Sequence, residues 1–270
     1  MCSDVSRREF GMLHPPDYST PALRFFVALD IKTGVMPEKR PRVLAFNEWM
    51  SVAFVVHGFG TRFWRWEDFK THPNLRIFRP LALTQVHSNI LHTIDEFPEQ
   101  NLRGDALMTK IPGVLLVVKT ADCLPVLAFS EKERVVAAVH CGWRSTSQRL
   151  IQTVVDAFQS HAHADPSSLR FGLGPSIASR CYPVGEDVLE AFRDAALSLD
   201  TFTPDTTEKG KYLLDLKRAN RSQLLESGVL PANILSLELC PHCEEDMISA
   251  RRDGRTRSRM LNFIGITAKE

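Results

Sequence analysis

The sequence lacks the features that mark several large classes of protein. No apolar run approaches the roughly 18 to 20 residues that a membrane-spanning helix needs. The N-terminal stretch has no continuous apolar core of the kind that signal peptides carry. The formal net charge is +1, so no excess of one sign points to nucleic acid or to a membrane surface. We therefore expect a cytoplasmic protein with no nucleic-acid partner and no membrane partner.

Several familiar motifs are missing as well. The sequence contains no GxGxxG motif and no GxSxG motif, and "GLGPS" at 172–176 is not followed by the Gly-Lys-Ser/Thr of a P-loop. Six cysteines in 270 residues, without regular pairing, do not form the pattern of a disulfide framework. These absences argue against a dinucleotide-binding fold, a serine hydrolase and a disulfide-stabilised secreted domain.

What is present is the composition of an ordinary globular protein, with 44% hydrophobic and 24% charged residues. Residues 1–50 are interrupted by prolines that break long elements, and they predict an N-terminal extension. The more regular pattern that follows predicts a single domain over residues 51–270.

The regular part of the chain mixes strand and helix patterns. Apolar or β-branched runs predict strands at 81–87, 114–120, 124–130 and 135–140, with "SEKER" as the hairpin loop between the last two. Helical spacing predicts helices at 145–161, 184–199 and 213–228, the first capped by Ser145 or Thr146. A mixed sheet with helices packed outside it, of the α/β or α+β class, is the predicted fold.

Three potential metal ligands lie at the ends of predicted strands. His87 ends a strand in "LTQVHSN", Cys123 opens one in "TADCLP", and His140 ends another in "AAVHCGWR". One thiolate and two imidazoles suit Zn²⁺, and three protein ligands with one open position is the catalytic arrangement. Their wide separation requires strands that lie side by side. The spacing alone favours the alternative that no metal binds here, with Cys123 as a buried apolar residue and the two histidines as ordinary strand-end residues.

A second candidate is the "CPHC" segment at 240–243, since CxxC spacing can hold zinc or support thiol exchange. No second cysteine pair stands nearby in the sequence, so the signal is weak. We expect His242 to point away from the face that Cys240 and Cys243 share.

Two arginines beside glycine-containing turns are candidate anion-binding residues. Arg62 follows "HGFGT" and Arg144 follows "CGW". A guanidinium beside a turn after a strand can pair with phosphate or carboxylate. A structural ion pair is the alternative role for each.

Seven blocks occur in a fixed order along the chain: "QVHSNIL", "GDALMT", "TADCLPVLAF", "VVAAVHCGWRST", "GLGPSIASRCYPVG", "YLLDL" and "CPHCEEDMISARRDGRTRSRMLNFI". In this order they resemble the YfiH-like family, the laccase-domain proteins also called multicopper polyphenol oxidases. The resemblance runs from about Phe54 to Ile266. It implies a single α/β domain, a mixed β-sheet sandwich of the type grouped with cytotoxic-necrotizing-factor-like cysteine hydrolases.

The resemblance also implies a zinc site and an activity. The zinc ligands are the His of "QVH", the Cys of "ADC" and the His of "HxGWR", which are His87, Cys123 and His140 here. The implied activities are phosphorolysis of adenosine, inosine, guanosine and methylthioadenosine, and hydrolytic deamination of adenosine. The expected partners are therefore a purine nucleoside and phosphate.

Further roles follow as hypotheses for this chain. The three ligands and Asp122 form the predicted catalytic set, with Asp122 or Asp105 shuttling a proton. Arg62 and Arg144 are predicted to hold phosphate. The chain departs from the family pattern at "TRFWRWE", where the family has "TRxGGVS", at "HCGWRS" for "HAGWRG", and at "CYPVG" for "CYEVG". The wall around Arg62 is where substrate preference is expected to differ.

Three other functions compete with nucleoside cleavage. A copper-dependent phenol oxidase needs a histidine-rich multicopper centre, which nine scattered histidines do not readily build. A cysteine hydrolase would use Cys123 as nucleophile and His140 as its base. A hydrolase that edits cell-wall peptidoglycan precursors would keep the pocket and change the substrate. A non-catalytic binding module is the least favoured, because it gives the cysteine, histidines and arginines no use.

Overall fold

The computed structural model describes residues 42–254 and 257–267. Within these ranges the chain forms fourteen β-strands: β1 (Val43–Leu44), β2 (Val55–Gly60), β3 (Arg79–Ala82), β4 (Leu91–Ile94), β5 (Ala106–Thr109), β6 (Val114–Thr120), β7 (Leu124–Ser130), β8 (Val135–Cys141), β9 (Arg170–Leu173), β10 (Pro183–Val184), β11 (Phe202–Pro204), β12 (Tyr212–Leu214), β13 (Ile234–Ser236) and β14 (Met260–Ile266).

The same ranges contain six α-helices: α1 (Asp68–Thr71), α2 (Trp143–Ser147), α3 (Leu150–Ala162), α4 (Glu186–Asp194), α5 (Leu216–Glu226) and α6 (Ala250–Asp253). Short 3₁₀ turns lie at Asn47–Trp49, Pro166–Ser168, Ser179–Cys181, Leu199–Thr201 and Pro231–Asn233. None of the helices in the described ranges combines the length and the apolar composition that crossing a bilayer requires.

The strands form two large sheets and one small one. The five-stranded sheet has the order β1-β2-β14-β6-β3, and the six-stranded sheet has the order β13-β9-β7-β8-β5-β4. The small sheet has the order β10-β12-β11. Most neighbouring strands are antiparallel, but β3 with β6, β4 with β5, and β9 with β13 are parallel. The prediction of a mixed α+β fold is therefore confirmed.

The core lies on both faces of the six-stranded sheet. All residues of β7 and β8 are buried, as expected for strands covered on two sides. Successive side chains of β7 point to opposite faces. Leu127 and Phe129 pack with residues of the five-stranded sheet such as Ile264, whereas Val126 packs with helix residues such as Phe158 of α3. The two large sheets thus form a sandwich, with helices on the outer face of the six-stranded sheet.

The helix predicted over 145–161 is divided into α2 and α3. The first begins earlier, at Trp143, because the Gly142 N–H donates to the Ser145 hydroxyl at 2.9 Å and closes the first turn. Arg149 has φ +59, a left-handed conformation that separates the two helices. Ser145 therefore supports the helix start from within the first turn instead of preceding it.

The strand predicted over 81–87 ends at Ala82, and His87 lies in a loop with φ +58. The Gln85 side chain explains this difference. It accepts a hydrogen bond from the Lys119 N–H and donates one to the Lys119 carbonyl, both at 2.7 Å. The side-chain amide replaces backbone pairing with β6, so the main chain turns away from the sheet. The prediction that His87 ends a strand is wrong.

Part of the predicted N-terminal extension packs inside the domain. Val43–Leu44 pairs with β2, and Leu44, Phe46 and Trp49 are buried between the two large sheets. Residues 1–41 of that extension lie outside the described residues. The division into an extension at 1–50 and a domain at 51–270 stays a prediction.

Candidate metal centre

The pairing of β7 with β8 brings Cys123 next to His140. Antiparallel register places Leu124 opposite Cys141 and Pro125 opposite His140. Cys123 directly precedes the first of these pairs, so it lies at the same end of the sheet as the last residues of β8. The short "SEKER" connection fixes this arrangement, because a hairpin places the start of one strand beside the end of the other.

A buried carboxylate, Asp105, orients His140. Asp105 directly precedes β5, and its carbonyl accepts a hydrogen bond from the His140 N–H at 2.8 Å. Its Oδ1 lies 2.8 Å from His140 Nδ1. A carboxylate at Nδ1 keeps the proton on that nitrogen and leaves Nε2 as the atom that can bind a metal. The side chain of Asp105 therefore fixes both the orientation and the tautomer of His140.

The second oxygen of Asp105 holds the loop that carries His87. Oδ2 accepts hydrogen bonds from the Val86 N–H at 3.2 Å, from the Ser88 N–H at 2.6 Å and from the Ser88 hydroxyl at 2.8 Å. These contacts maintain the left-handed backbone of His87 between them. Burial alone would raise the pKa of the Asp105 carboxyl, but hydrogen bonds from His140 and Ser88 lower it to about 2. One ionised carboxylate thus positions both histidines.

The nitrogen and sulfur atoms of His87, Cys123 and His140 lie within 4.8 Å of one another. The two imidazole rings are 4.8 Å apart between centroids and inclined by 75°, and the Cys123 sulfur forms hydrogen bonds with both. His140 is buried, Cys123 is half-buried and His87 is exposed, so the group opens to solvent on the His87 side. The structure therefore brings together all three predicted ligands.

Electrostatics favour the ligand form of the cysteine. Burial alone would raise the pKa of the Cys123 thiol, but the charge of His140 and hydrogen bonds from both imidazoles lower it to about 6. Burial likewise opposes protonation of His140, but the Cys123 charge and the Asp105 hydrogen bond raise its pKa to about 9. The pair is held as thiolate and imidazolium near neutral pH, and a metal cation would take the place of the shared proton.

Gly142 leaves room for these side chains. A Cβ atom at this position would lie 3.0 Å from His87 Cδ2 and 3.2 Å from the Cys123 sulfur. The glycine of "HCGWRS" therefore has a steric function, since its backbone angles, φ −82 and ψ 174, are open to any residue. A space enclosed by one sulfur and two imidazoles, with a carboxylate behind one of them, fits a borderline-soft divalent metal ion.

The carboxylate of Asp122 is not a member of this ligand group. Its Oδ2 accepts a hydrogen bond from the Arg251 N–H at 2.7 Å, and its Oδ1 is buried without a hydrogen-bond partner among the described residues. The backbone at Asp122 is left-handed, with φ +85, which turns the chain between β6 and Cys123. The residue borders the metal centre through its neighbour Cys123.

The two predicted phosphate-binding arginines differ in their surroundings. Arg144 is exposed on α2, two residues after Gly142, and its guanidinium stacks 4.1 Å from the centroid of the Trp143 ring. It forms no ion pair with a carboxylate of the described residues. Arg62 is also exposed, but its guanidinium lies 4.0 Å from a carboxylate oxygen of Asp253. Arg144 is thus the more available of the two for an anion.

Tyr182 borders the same region and was not identified from the sequence. Burial raises the pKa of its hydroxyl well above the ordinary value; the charge of Cys123 raises it further, and those of Arg251 and Arg144 lower it. The Arg251 guanidinium lies 5.3 Å from the centroid of its ring. Its position in "RCYPVG", after an irregular Gly-Pro segment, gave no periodic signal that could have indicated a role.

A cavity of about 760 Å³ is separate from the ligand group. It is lined by cationic side chains including Arg180 and Lys217, and by none of the three predicted ligands. Ile177 also lines it and donates a backbone hydrogen bond to the Asp122 carbonyl at 2.9 Å. The cavity is therefore adjacent to the metal centre through this one wall segment.

The sequence profile of a family described as multi-copper polyphenol oxidoreductase laccase matches residues 68–267. The chain belongs to this family. The predicted resemblance to the YfiH-like, laccase-domain proteins is thereby confirmed. The match covers β3 to β14 and therefore all three members of the ligand group.

Individual members of the laccase-domain family support the same assignment. Adenosine deaminase RL5, from an unknown prokaryotic organism, is 36% identical over 195 residues, which are 68% of this chain and 73% of that protein. Purine nucleoside phosphorylase YlmD of Geobacillus stearothermophilus is 38% identical over 162 residues, 60% of this chain and 59% of that protein. The crystal structure of YlmD from Geobacillus stearothermophilus matches with a TM-score of 0.75 and 28% identity, covering 87% of this chain and 99% of that one. The YfiH structure of Bacillus licheniformis matches with a TM-score of 0.76 at 25% identity, over 85% and 98% of the two chains.

Replacing Asp105 by Asn should weaken metal binding by about 10- to 100-fold, because the neutral amide no longer fixes His140 Nδ1–H or the His87 loop as strongly. Zinc affinity, measured by competition with a chelating dye, tests this. Asp95→Asn changes an exposed carboxylate and is the matched control. Equal zinc affinity in the two variants would contradict the orienting role of Asp105.

Replacing Gly142 by Ala should also weaken zinc binding, on the order of tenfold, because the added methyl displaces His87 and Cys123. Gly185→Ala is a close control, since Gly185 precedes α4 with nearly the same backbone angles, φ −86 and ψ 174. A Cβ there would lie 2.5 Å from Asp187 Oδ1, so the end of that side chain must move aside, but it would approach no residue of the ligand group. If both alanine variants bound zinc like the parent chain, Gly142 would have no steric function at the ligand group.

Proposed function

We propose that this protein is a zinc-dependent purine nucleoside phosphorylase that acts on adenosine, inosine, guanosine and methylthioadenosine and also deaminates adenosine. The supporting observation is the group of one sulfur and two imidazoles, oriented by Asp105 and open on one side. Relatives named purine nucleoside phosphorylase and adenosine deaminase, at 38% and 36% identity, supply the reaction class.

Zinc is the metal that the donor set favours. Cys123, His87 and His140 would hold it and leave one position for substrate, which is the arrangement of catalytic zinc sites. When bound, the ion would supply Lewis-acid polarisation of a substrate or water oxygen. The exposed His87 side leaves an approach for the nucleoside from solvent.

Arg144 is the proposed phosphate-binding residue, with Arg62 as a second contributor. The Arg144 residue is exposed and its guanidinium lies over the Trp143 ring, 4.1 Å from the centroid, and a guanidinium can donate two parallel hydrogen bonds to phosphate. Phosphate placed beside the sugar would attack its anomeric carbon as the bond to the purine breaks. The products are the free purine and a pentose 1-phosphate. Holding the two reactants together is the main contribution of such residues.

Asp122 is the better candidate for the proton transfer that deamination requires. Both oxygens of Asp105 are already occupied by His140 and by the His87 loop. Asp122 keeps one carboxylate oxygen without a partner among the described residues, beside Cys123. That oxygen could accept a proton from water and deliver it to the purine as water replaces the amino group, giving inosine and ammonia.

The decisive experiment incubates the purified chain with adenosine, with and without phosphate, and identifies the products while measuring bound zinc. Adenine and ribose 1-phosphate should form only with phosphate, and inosine in both cases. Cys123→Ala should lose zinc from this group and both activities together, because one of three ligands is removed. A folded Cys123→Ala variant that lacks this zinc and still cleaves nucleosides would remove the metal from the mechanism.

Replacing Arg144 by Ala should raise the KM for phosphate by about tenfold or more, as expected for loss of a charge-assisted hydrogen bond. Phosphate-independent formation of inosine should change little, which separates phosphate binding from general damage to the site. Arg62→Ala is the matched comparison and should have the smaller effect, because Arg62 lies beside Asp253. An unchanged KM for phosphate in Arg144→Ala would contradict this assignment.

A second candidate function is a cysteine hydrolase. Cys123, His140 and Asp105 form a cysteine–histidine–carboxylate series with the thiolate and imidazolium charges described above. Iodoacetamide separates the two functions, since a metal-bound thiolate is protected from alkylation and a free nucleophilic one reacts rapidly. Rapid alkylation of Cys123 in zinc-loaded protein would favour the cysteine hydrolase. Phenol oxidation by copper-loaded protein, without nucleoside turnover, would favour the copper-dependent phenol oxidase.

A further inference from the structure

A second group of potential metal ligands lies outside the candidate metal centre. The sulfurs of Cys181 and Cys243 and a ring nitrogen of His242 all lie within 4.8 Å of one another. Cys181 ends the short 3₁₀ turn after the "GLGPSIAS" segment, and the other two belong to "CPHC". The group therefore joins two loops that are about sixty residues apart in the sequence.

We propose that Cys181, His242 and Cys243 bind a second zinc-class divalent ion, which fixes these two loops to each other. The chemistry of the donors supports a soft or borderline metal, because two thiolates and one imidazole are zinc ligands in structural sites. The inference is independent of the proposed nucleoside reaction, which uses a different set of ligands.

The distance between the two sulfurs suits a shared metal. Cys181 and Cys243 are 3.5 Å apart between sulfurs. Two sulfurs that bind one tetrahedral zinc at ~2.3 Å are roughly 3.8 Å apart, whereas a disulfide bond needs about 2.05 Å. The observed separation therefore requires little movement to admit an ion and a large one to form a disulfide.

The surroundings favour the metal-binding form of the cysteines. Arg180 places a guanidinium nitrogen 3.6 Å from the Cys243 sulfur, and a neighbouring cation stabilises a thiolate. Cys181 is buried and Cys243 is partly buried, so the group is shielded on the Cys181 side. Two thiolates, one neutral imidazole and one divalent cation have no net charge, which suits a site partly removed from water.

The first cysteine of the CxxC motif has a different role. The Cys240 sulfur accepts a hydrogen bond from the Ala178 N–H at 3.2 Å and is buried against Ile177. It is not a member of the ligand group, and Cys181 from the distant loop stands in its place. The prediction that His242 points away from the face that Cys240 and Cys243 share is wrong with respect to Cys243, because a ring nitrogen of His242 lies within 4.8 Å of the Cys243 sulfur.

An ion here would stiffen one wall of the candidate metal centre. Cys181 directly precedes Tyr182, which lies close enough to Cys123 for its charge to raise the tyrosine pKa. The loop that contains Cys243 surrounds the Arg252 guanidinium, which donates hydrogen bonds to the carbonyls of Pro241, Glu244 and Met247. The neighbouring Arg251 N–H holds Asp122. Linking the two loops would thus hold Tyr182 and Asp122 in fixed relative positions.

Zinc stoichiometry tests the proposal. The full chain is stripped of metal, loaded with zinc salt under reducing conditions, gel-filtered and analysed for zinc per chain. The parent chain should retain about two ions, and His242→Ala or Cys243→Ser about one. Cys123→Ala should also retain about one, now at the second group, and Cys123→Ala combined with Cys243→Ser should retain none.

Cobalt substitution provides a signal independent of activity and of folding yield. In the Cys123→Ala background, bound Co²⁺ should show sulfur-to-metal charge-transfer absorption, and adding Cys243→Ser should reduce it. Cys240→Ser is the matched control, because it changes a cysteine of the same motif that lies outside the ligand group. It should keep both the second ion and the absorption. Loss of the second ion in Cys240→Ser with retention in Cys243→Ser would overturn the ligand set.

Two further results would overturn the proposal. If the parent protein, His242→Ala and Cys243→Ser all bound one ion per chain, there would be no second site. Alternatively, protein isolated without reductant could show two fewer free thiols than its six cysteines, with no second ion after reduction and loading. That outcome would identify Cys181 and Cys243 as a disulfide-forming pair.

Discussion

The candidate metal centre depends on the buried carboxylate of Asp105. One oxygen fixes the ring of His140 and the other gathers the N–H groups on either side of His87. Loss of any one of these hydrogen bonds would destabilise the buried carboxylate, because part of its charge would then have neither water nor a hydrogen-bond donor beside it. The two imidazoles are therefore coupled through one side chain, although neither touches the other's backbone. The two histidines owe their orientations to this coupling, whereas the pairing of β7 with β8 places Cys123 beside His140.

The positions of the three ligands could be predicted from the sequence only where the contacts that set them join adjacent segments of the chain. The hairpin of β7 and β8 is encoded by adjacent apolar runs and a polar loop, so the proximity of Cys123 and His140 follows from register alone. The position of His87 does not, because it requires the Gln85 side chain to substitute for strand pairing with Lys119. Such a contact between distant segments has no periodic signature. The sequence pattern made His87 a candidate on the basis of a strand end that does not exist, and the family resemblance supported it as a ligand independently of that strand.

The residues that the sequence analysis missed, Tyr182 and Cys181, and those of "CPHC" that it identified only in part have the same property. Tyr182 and the group of Cys181, His242 and Cys243 lie in irregular loops whose positions are set by contacts with each other. A CxxC motif draws attention to its own two cysteines, yet only one of them joins the group, because Cys240 is held by the Ala178 N–H. Spacing rules identify ligands that one loop presents together. They fail where one of three ligands, here Cys181, comes from another part of the chain.

The two groups of ligands also differ in the structural elements that position them. The first is built at the ends of strands β7 and β8, whose residues are buried on both faces, so its geometry is maintained by the core. The second joins two loops that are also linked by hydrogen bonds from the Ala178 N–H to the Cys240 sulfur and from Arg180 to the Cys243 sulfur, so the proposed ion would add to contacts between loops and not between strands. Through Arg251 and Asp122, the loops nevertheless reach the residue next to Cys123. The candidate metal centre is thus held by the packing of its strands, whereas the proposed second ion would act on it only indirectly, through the loop that contacts Asp122.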